Sequence, residues 1–463
     1  MIPVSSYRGS KVAVFGLGRA GLAAVRALRA GGAEVLVDDD APARRVEGEA
    51  AGGTPYDLSA GDWTDIAALV LSPGVPLTHP APHPVVQKAR AAGTEILGEV
   101  DLLARELWPG PGPRLVGITG TNGKSTTTAL LGHLLAEAGL EVAVGGNLGT
   151  AALALEPLSA AGVYVLEMSS YQLDLTSGAA FDVAALLNVT PDHLDRHGGM
   201  DGYVAAKKKI FARQTVSCTA VIPVDDTITA AVFDGLAAGG PQRVVPVSIH
   251  RRLADGIFVA DGVLFDALDG PPRRVATLSG VAVLLGEHNS QNAAVAYAVA
   301  RSLGLASEQA ARGLASYPGL PHRMEPVAEI AGARFVNDSK ATNVTAALQA
   351  LRSYDKIYWI AGGRAKDDDL APILPLLDRV RHAFLIGEAA AAFARVLADR
   401  VPVTVARTLE AAVPAAAALA QGDAGAVVLL SPACASFDQF DDFEARGDRF
   451  RALVTAIADE ADE

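Results

Sequence analysis

The chain has 463 residues, half of them hydrophobic and a fifth charged. At roughly 150 residues per domain this length predicts three domains, and with that composition it excludes both a single small module and a largely disordered chain. Acidic residues outnumber basic ones, 52 to 39, for a net charge of −13, so the chain as a whole has no field to hold it on nucleic acid or an anionic membrane, and anionic ligands must be gripped by local donors.

Two Pro/Gly-rich seams, Trp108–Pro113 and Tyr317–Pro321, divide the chain into expected domains at 1–110, 111–318 and 319–463. Within each, short β-branched runs alternate with longer helical stretches, the pattern of a mostly parallel sheet covered by helices. The first segment is expected to have strands over Lys11–Gly16, Glu34–Asp39 and Leu69–Leu71. Arg114–Thr119, Glu141–Val144, Val163–Glu167, Val183–Val189 and Thr219–Val224 follow in the second. The third offers Arg334–Asp338, Lys356–Gly362, His382–Gly387, Val401–Val405 and Ala426–Ser431. The fold class is α/β. The Ala-rich stretch around Ala411–Ala420 is broken by Pro414 and reads as a packed helix rather than a membrane span, and Met1–Ser10 lacks the apolar core of a secretory signal. Cys218 and Cys434 are the only cysteines, too few for a disulfide framework or a structural zinc cluster, which agrees with a reducing, cytoplasmic setting.

Polar and glycine-rich residues collect at the carboxyl ends of these strands, where doubly wound sheets bind ligands. Gly16-Leu17-Gly18-Arg19-Ala20-Gly21 follows one strand and opens a helix, and Asp38 ends the next strand. Glycines there let the backbone approach an anion at a helix N-terminus, and the acid accepts hydrogen bonds from a sugar. A nicotinamide dinucleotide, another nucleotide diphosphate and a bare strand-to-helix turn all fit the pattern. Ser72-Pro73-Gly74 offers a second backbone contact to the same ligand.

The sharper motif is Gly117 to Thr126, which contains Gly120-Thr121-Asn122-Gly123-Lys124-Ser125-Thr126. Its backbone N–H groups cradle phosphates, Lys124 bridges the β- and γ-phosphates, and the Ser125 hydroxyl is placed for Mg2+. It is a variant loop, because Ile118 stands where the strict spacing has glycine. Glu167 ends one further strand and His193 follows another, and together they suit one magnesium–nucleotide, although each alone reads more often as an ion-pair partner or helix cap. Lys207-Lys208-Lys209 reads as a solvated face. Asn289 and Asn292, three apart at a helix start, share one face, where their amides suit either a purine edge or capping.

Gly120–Thr126, Glu167, His193, Gly286–Asn292 and Leu320-Pro321-His322-Arg323 resemble, in order and over nearly the whole chain, the Mur ligases. These are ATP-dependent amide-forming enzymes of peptidoglycan precursor synthesis, related to folylpolyglutamate synthase. Asn337–Asn343 and Leu430–Phe440 resemble the branch that adds D-glutamate to UDP-N-acetylmuramoyl-L-alanine. The resemblance implies a Rossmann-like first domain, a central P-loop-type ATPase sheet and a Rossmann-like third domain. It assigns the UDP substrate to Gly16, Leu17, Gly18, Arg19, Asp38, Ser72, Pro73, Gly74 and Asn147. ATP falls to Gly120 through Thr127, Asn289, Asn292, Arg323, Asp338 and Lys340, and D-glutamate to His193, Thr342, Lys366, Ser436 and Phe443, with Arg364 as a rival of Lys366.

The implied catalytic residues are Lys124, Glu167, His193, Lys207 and Arg323, around two Mg2+ ions held by Ser125, Glu167, His193 and Lys207 if that lysine is carbamylated. A carbamate needs a neutral amine, which Lys208 and Lys209 are expected to favour by repulsion. The implied reaction forms an acyl phosphate from the substrate carboxylate and ATP, then exchanges phosphate for the amine of D-glutamate. The expected partners are these small molecules alone, with no nucleic acid or membrane, and the chain is expected to be a monomer. A sister ligase for another amino acid, an NAD-dependent oxidoreductase and a non-catalytic ATP switch are the competing readings.

Overall fold

The computed structural model describes residues 1–107, 112–365 and 369–462. Residues 108–111 of the first seam, and Lys366 among the candidate D-glutamate residues, lie outside the described residues. The described residues form three sheets, divided between two compact units. One contains residues 1–278 and 289–317; the other contains 279–288 and 318–463.

The first sheet joins β1 (Lys11–Phe15), β2 (Glu34–Asp38), β3 (Thr54–Pro55), β4 (Ile66–Leu71) and β5 (Glu95–Leu97), in the order β3-β2-β1-β4-β5 and parallel throughout. Strand β1 is central because it is apolar on both faces: Val12 and Val14 enter one core while Ala13 and Phe15 enter another. Its neighbours are reached by connections running in opposite directions, so the Gly16–Gly21 turn emerges at the topological switch point.

The second sheet contains β6 (Arg114–Thr119), β7 (Val142–Gly146), β8 (Val163–Glu167), β9 (Val183–Leu186), β10 (Thr219–Pro223), β11 (Arg243–Ser248), β12 (Ile257–Ala260), β13 (Val263–Asp266) and β14 (Arg273–Thr277). Its order is β14-β13-β12-β11-β10-β9-β6-β8-β7. Strand β6 again lies between two parallel neighbours, β8 and β9, and delivers the phosphate-type loop into the helix Lys124–Glu137. The third sheet, β15 (Glu325–Ile330), β16 (Ala333–Asn337), β17 (Ile357–Gly362), β18 (Val380–Ile386), β19 (Val403–Arg407) and β20 (Val427–Leu430), runs β15-β16-β20-β17-β18-β19, with only β15 antiparallel. Each strand expected from a β-branched run is present; β3, β5 and β11–β15 are additional.

Candidate functional site

The three glycines of the first turn do different work. A Cβ on Gly16, whose φ is +88°, would stand 2.5 Å from the Ser72 Cβ, and one on Gly21 would stand 2.0 Å from the Gly16 carbonyl oxygen. Gly18 has nothing within 4 Å of that position. It caps the helix Arg19–Gly31 without any side-chain hydrogen bond to the first turn, leaving backbone N–H groups and a positive helix end for an anion. Arg19 reaches from this helix to the Asn147 carbonyl at 3.1 Å. Asp38 is buried, and its carboxylate receives Leu58 N at 3.0 Å and Asp39 N at 2.9 Å and pairs with Arg45 at 3.0 Å. The acid turned to the glycine turn is Asp39, which accepts Leu17 N at 2.6 Å.

The second cradle is held from behind. Asn188 clamps the backbone of Asn122, accepting its N–H at 2.9 Å and donating to its carbonyl at 3.1 Å. Thr121 is tied to the Thr190 carbonyl and to the Tyr203 hydroxyl, both at 3.1 Å. Gly123 is left-handed, φ +84°, and a Cβ there would stand 2.2 Å from Asn292 Oδ1. That oxygen accepts Thr127 Oγ1 at 3.2 Å, and Asn292 Nδ2 donates to Asn289 Oδ1 at 3.2 Å. Both asparagines are buried, so in this structure the pair supports the loop and its helix. Lys124 Nζ donates to the Gly120 and Thr121 carbonyls at 2.9 and 2.7 Å. Ser125 and Thr126 follow it in the first helical turn.

Both cradles open on one cavity of about 360 Å³, lined by Arg19, at the start of its helix, and Pro73, after β4, from the first sheet's side and by Lys124, Asn147, His193 and Lys207 from the second's. Ser72 and Gly74 flank Pro73. Glu167, at the end of β8, is 2% exposed; its Oε1 accepts Asn147 Nδ2 at 2.6 Å, and its Oε2 is buried with no hydrogen-bond partner among the described residues. His193 has a left-handed backbone, φ 50°. Its Nδ1 lies 3.3 Å from the Tyr171 hydroxyl and its Nε2 3.5 Å from Asp192. Among the described residues, no group of three or more His, Cys, Asp or Glu side chains is arranged to hold a metal. An orphaned carboxylate oxygen beside a phosphate cradle fits Mg2+, which keeps water and phosphate oxygens as most of its ligands.

Lys207 is 1% exposed, donates to the Gly120 carbonyl at 2.7 Å, and lies 4.6 Å from the centre of the Tyr203 ring. Burial first, and the Lys124 charge second, push its amine down to about 7. The run Lys207–Lys209 is therefore not one solvated face, and the repulsion expected from Lys208 and Lys209 is not the cause. Lys208 is exposed and Lys209 pairs with Asp174 at 2.9 Å.

In the other unit Arg323 lies between His322 and Met324, both left-handed at φ 61° and 47°. Asp338 is buried; it accepts Ser431 Oγ at 2.8 Å and Met324 N at 3.2 Å, and burial raises its carboxyl to about 7 against the opposing pull of Ser431 and Arg323. Lys340 Nζ lies 3.7 Å from the centre of the Phe443 ring, and Thr342 N donates to the Lys340 carbonyl at 2.8 Å. Ser436 is buried. Arg364 is engaged by Glu388 through two hydrogen bonds of 3.1 and 3.0 Å.

A phosphate-type loop and a dinucleotide-type turn opening on one cavity are the build of an α/β nucleotide enzyme. Residues 118–300 match the Mur ligase middle domain, and 322–434 match the Mur ligase glutamate ligase domain. The chain is 53% identical, over 99% of both chains, to UDP-N-acetylmuramoylalanine–D-glutamate ligase of Phenylobacterium zucineum. It is 52% identical to the enzyme of the same name from Caulobacter vibrioides, over 99% of this chain and 98% of that one. The fold also resembles UDP-N-acetylmuramate–alanine ligase of Thermotoga maritima, with TM-score 0.59 at 16% identity over 96% of this chain and 99% of that one. The chain belongs to the Mur ligase family and is a ligase.

Proposed function

We propose that the chain adds D-glutamate to UDP-N-acetylmuramoyl-L-alanine with hydrolysis of ATP to ADP and phosphate, in the cytoplasm. The observation that carries this reading is the shared cavity, in which Arg19 and Pro73 beside one cradle meet Lys124 beside the other. The full-length relatives bearing that name support the choice of amino acid. On this reading residues 1–110 hold the UDP substrate, 111–318 hold ATP and 319–463 hold D-glutamate. The chain works as a monomer, without nucleic acid or membrane; no helix among the described residues is long and apolar enough to cross a bilayer.

The substrate carboxylate attacks the γ-phosphorus and ADP leaves; the D-glutamate amine then attacks the acyl phosphate carbonyl and phosphate leaves. Such transfers depend on positioning and charge neutralisation. Lys124, with Arg323, is assigned to the phosphates, Gly120–Thr127 to their backbone cradle, and Asp338 and Lys340 to the nucleotide, while Asn289 and Asn292 act through the loop they support. Gly16–Arg19, Ser72–Gly74 and Asn147 take the UDP substrate, with Asp38 acting through the Leu58 and Arg45 it holds; His193, Thr342, Ser436 and Phe443 take D-glutamate, with Lys366. Two Mg2+ ions would be held by Ser125, Glu167, His193 and Lys207. Bound there, they supply neutralisation of phosphate charge.

Lys207 suits carbamylation because a buried amine brought down to about 7 is neutral in a large fraction at cellular pH. Addition of CO2 to the neutral amine, with loss of one proton from the nitrogen, would give an anionic carbamate that, with Glu167, would help hold Mg2+. Phosphate release from ATP with UDP-N-acetylmuramoyl-L-alanine, measured with and without D-glutamate, tests the function. Release that does not respond to D-glutamate, or that responds better to another amino acid, would overturn the substrate assignment.

A further inference from the structure

Arg196 has no part in the chemistry above, yet it is 5% exposed and central to the contacts around the cavity. It stands three residues beyond His193, on the short helix Leu194–His197. Its Nη2 donates to the Val75 carbonyl at 2.9 Å and, more weakly, to the Pro73 carbonyl at 3.4 Å. Both belong to the loop after β4, and Pro73 lines the cavity. The guanidinium carbon lies 5.1 Å from the centre of the Tyr171 ring, whose hydroxyl is 3.3 Å from His193 Nδ1. A second close approach joins the same two segments: a Cβ on Gly198, φ +71°, would stand 2.6 Å from His79 Nε2.

The guanidinium is poorly satisfied for a buried charge. Among the described residues its Nε and Nη1 have no hydrogen-bond partner, and neither has the Asp174 Oδ2 that stands 3.7 Å from Nη1. Stability alone favours an apolar side chain of similar volume at such a position, because the desolvation of both charges is only partly offset. What the arginine does supply is reach, from the His193 segment to two carbonyls across the cavity rim.

We infer that Arg196 is a positioning residue, which fixes the Ser72–Val75 loop against Tyr171 and so sets the distance between that loop and His193. It touches no reacting group and acts through those neighbours. That the loop serves the UDP substrate rests on the proposed function; that Arg196 fixes it does not.

Arg196→Lys, Arg196→Met and Tyr171→Phe are compared with the unmodified chain in three measurements: hydrogen exchange of the Ser72, Gly74 and Val75 amides, calorimetric titration with UDP-N-acetylmuramoyl-L-alanine, and D-glutamate-dependent phosphate release. Loss of a charge-assisted contact should speed exchange at the loop and weaken the UDP substrate about tenfold in Arg196→Met, with KM for ATP changed less than about twofold. Arg196→Lys keeps the charge and recovers part of the affinity. Tyr171→Phe keeps the ring under the guanidinium and loses only the hydroxyl, so kcat should fall several-fold at unchanged UDP-substrate affinity.

Unchanged loop exchange in both arginine variants overturns the inference whatever the ligand proves to be. Equal losses of affinity for ATP and for the UDP substrate also overturn it, since they indicate general loosening. Failure of the unmodified chain to bind the UDP substrate, with loop exchange responding to Arg196 as expected, removes the proposed substrate and leaves the positioning role standing.

Discussion

Lys124 and Lys207 donate to the same acceptor, the Gly120 carbonyl, at 2.9 and 2.7 Å. Burial first, and second the repulsion between two ammonium groups held on one oxygen, bring Lys207 from 10.5 down to about 7. The folded chain therefore binds fewer protons at Lys207 than the unfolded chain between those values, and stability from this residue rises with pH across that window. Below about pH 7 the full cost of a buried cation is present. Lys207→Met should raise the melting temperature at about pH 6 and do so much less at about pH 10. Thermal denaturation at both values checks this; equal shifts would mean that Lys207 is not the titrating group.

If the neutral amine of Lys207 is carbamylated, turnover depends on dissolved CO2. Depleting bicarbonate at about pH 8, where the amine is largely neutral, should lower kcat, and restoring bicarbonate should recover it. Lys207→Met should be inactive and indifferent to bicarbonate. A density map with a planar group on Nζ would provide the direct observation.

Lys124→Ala removes the cation from the phosphate cradle. Turnover should fall by at least about a thousandfold, the scale seen when charge stabilisation of a transferring group is lost. UDP-substrate binding should remain nearly intact. Calorimetry in which both are lost would assign the lysine a structural part, through its bonds to Gly120 and Thr121.

Glu167→Gln can retain the hydrogen bond from Asn147 while deleting a charge whose second oxygen has no partner. Folding should be unharmed or improved, and the Mg2+ concentration needed for half-maximal rate should rise at least about tenfold, as expected when a hard cation loses its carboxylate. A Mg2+ requirement that does not move would exclude Glu167 as a ligand.

Gly123→Ala meets two separate obstacles, a left-handed backbone and the Asn292 amide 2.2 Å from the new methyl. Destabilisation of about 2 kcal/mol or more is expected from chemical denaturation. Adding Asn292→Ala should recover only part of it, because the clash is relieved while the dihedral strain remains and Thr127 loses its acceptor.

Strands such as β1, β8 and β17 could be read in the sequence because they are buried along most or all of their length and their apolar residues run with little interruption. Among the unread strands, β3 has two residues, and β14 lies at the sheet edge, begins with two arginines and has three of its five positions exposed. The site was legible where chemistry follows residue type and spacing, as in Gly120–Thr126. It was not legible where the answer depends on which neighbour a side chain meets. Asp38 and Asp39 are adjacent in sequence, and only the fold decides that the first supports Leu58 while the second meets Leu17. Lys207 owes its perturbation to burial and to a residue in the phosphate loop, far away in the chain, rather than to the two lysines beside it. Asn188, Tyr171 and Arg196 carry no spacing signal at all, although Asn188 and Arg196 bound the segment that contains His193.

The glycine pattern of the first turn fits a nicotinamide dinucleotide as one reading among three, and the ligase family of the chain favours another nucleotide diphosphate. Gly16 answers to crowding by Ser72 of the next loop, Gly21 to crowding by the Gly16 carbonyl, and Gly18 leaves open space at the start of a helix. None of those requirements involves a redox carrier. Any chain that must bring a pyrophosphate within reach of backbone amides at that point is driven to the same spacing by geometry, so the motif records convergence on a shape of approach, and electron transfer has to be argued from other residues.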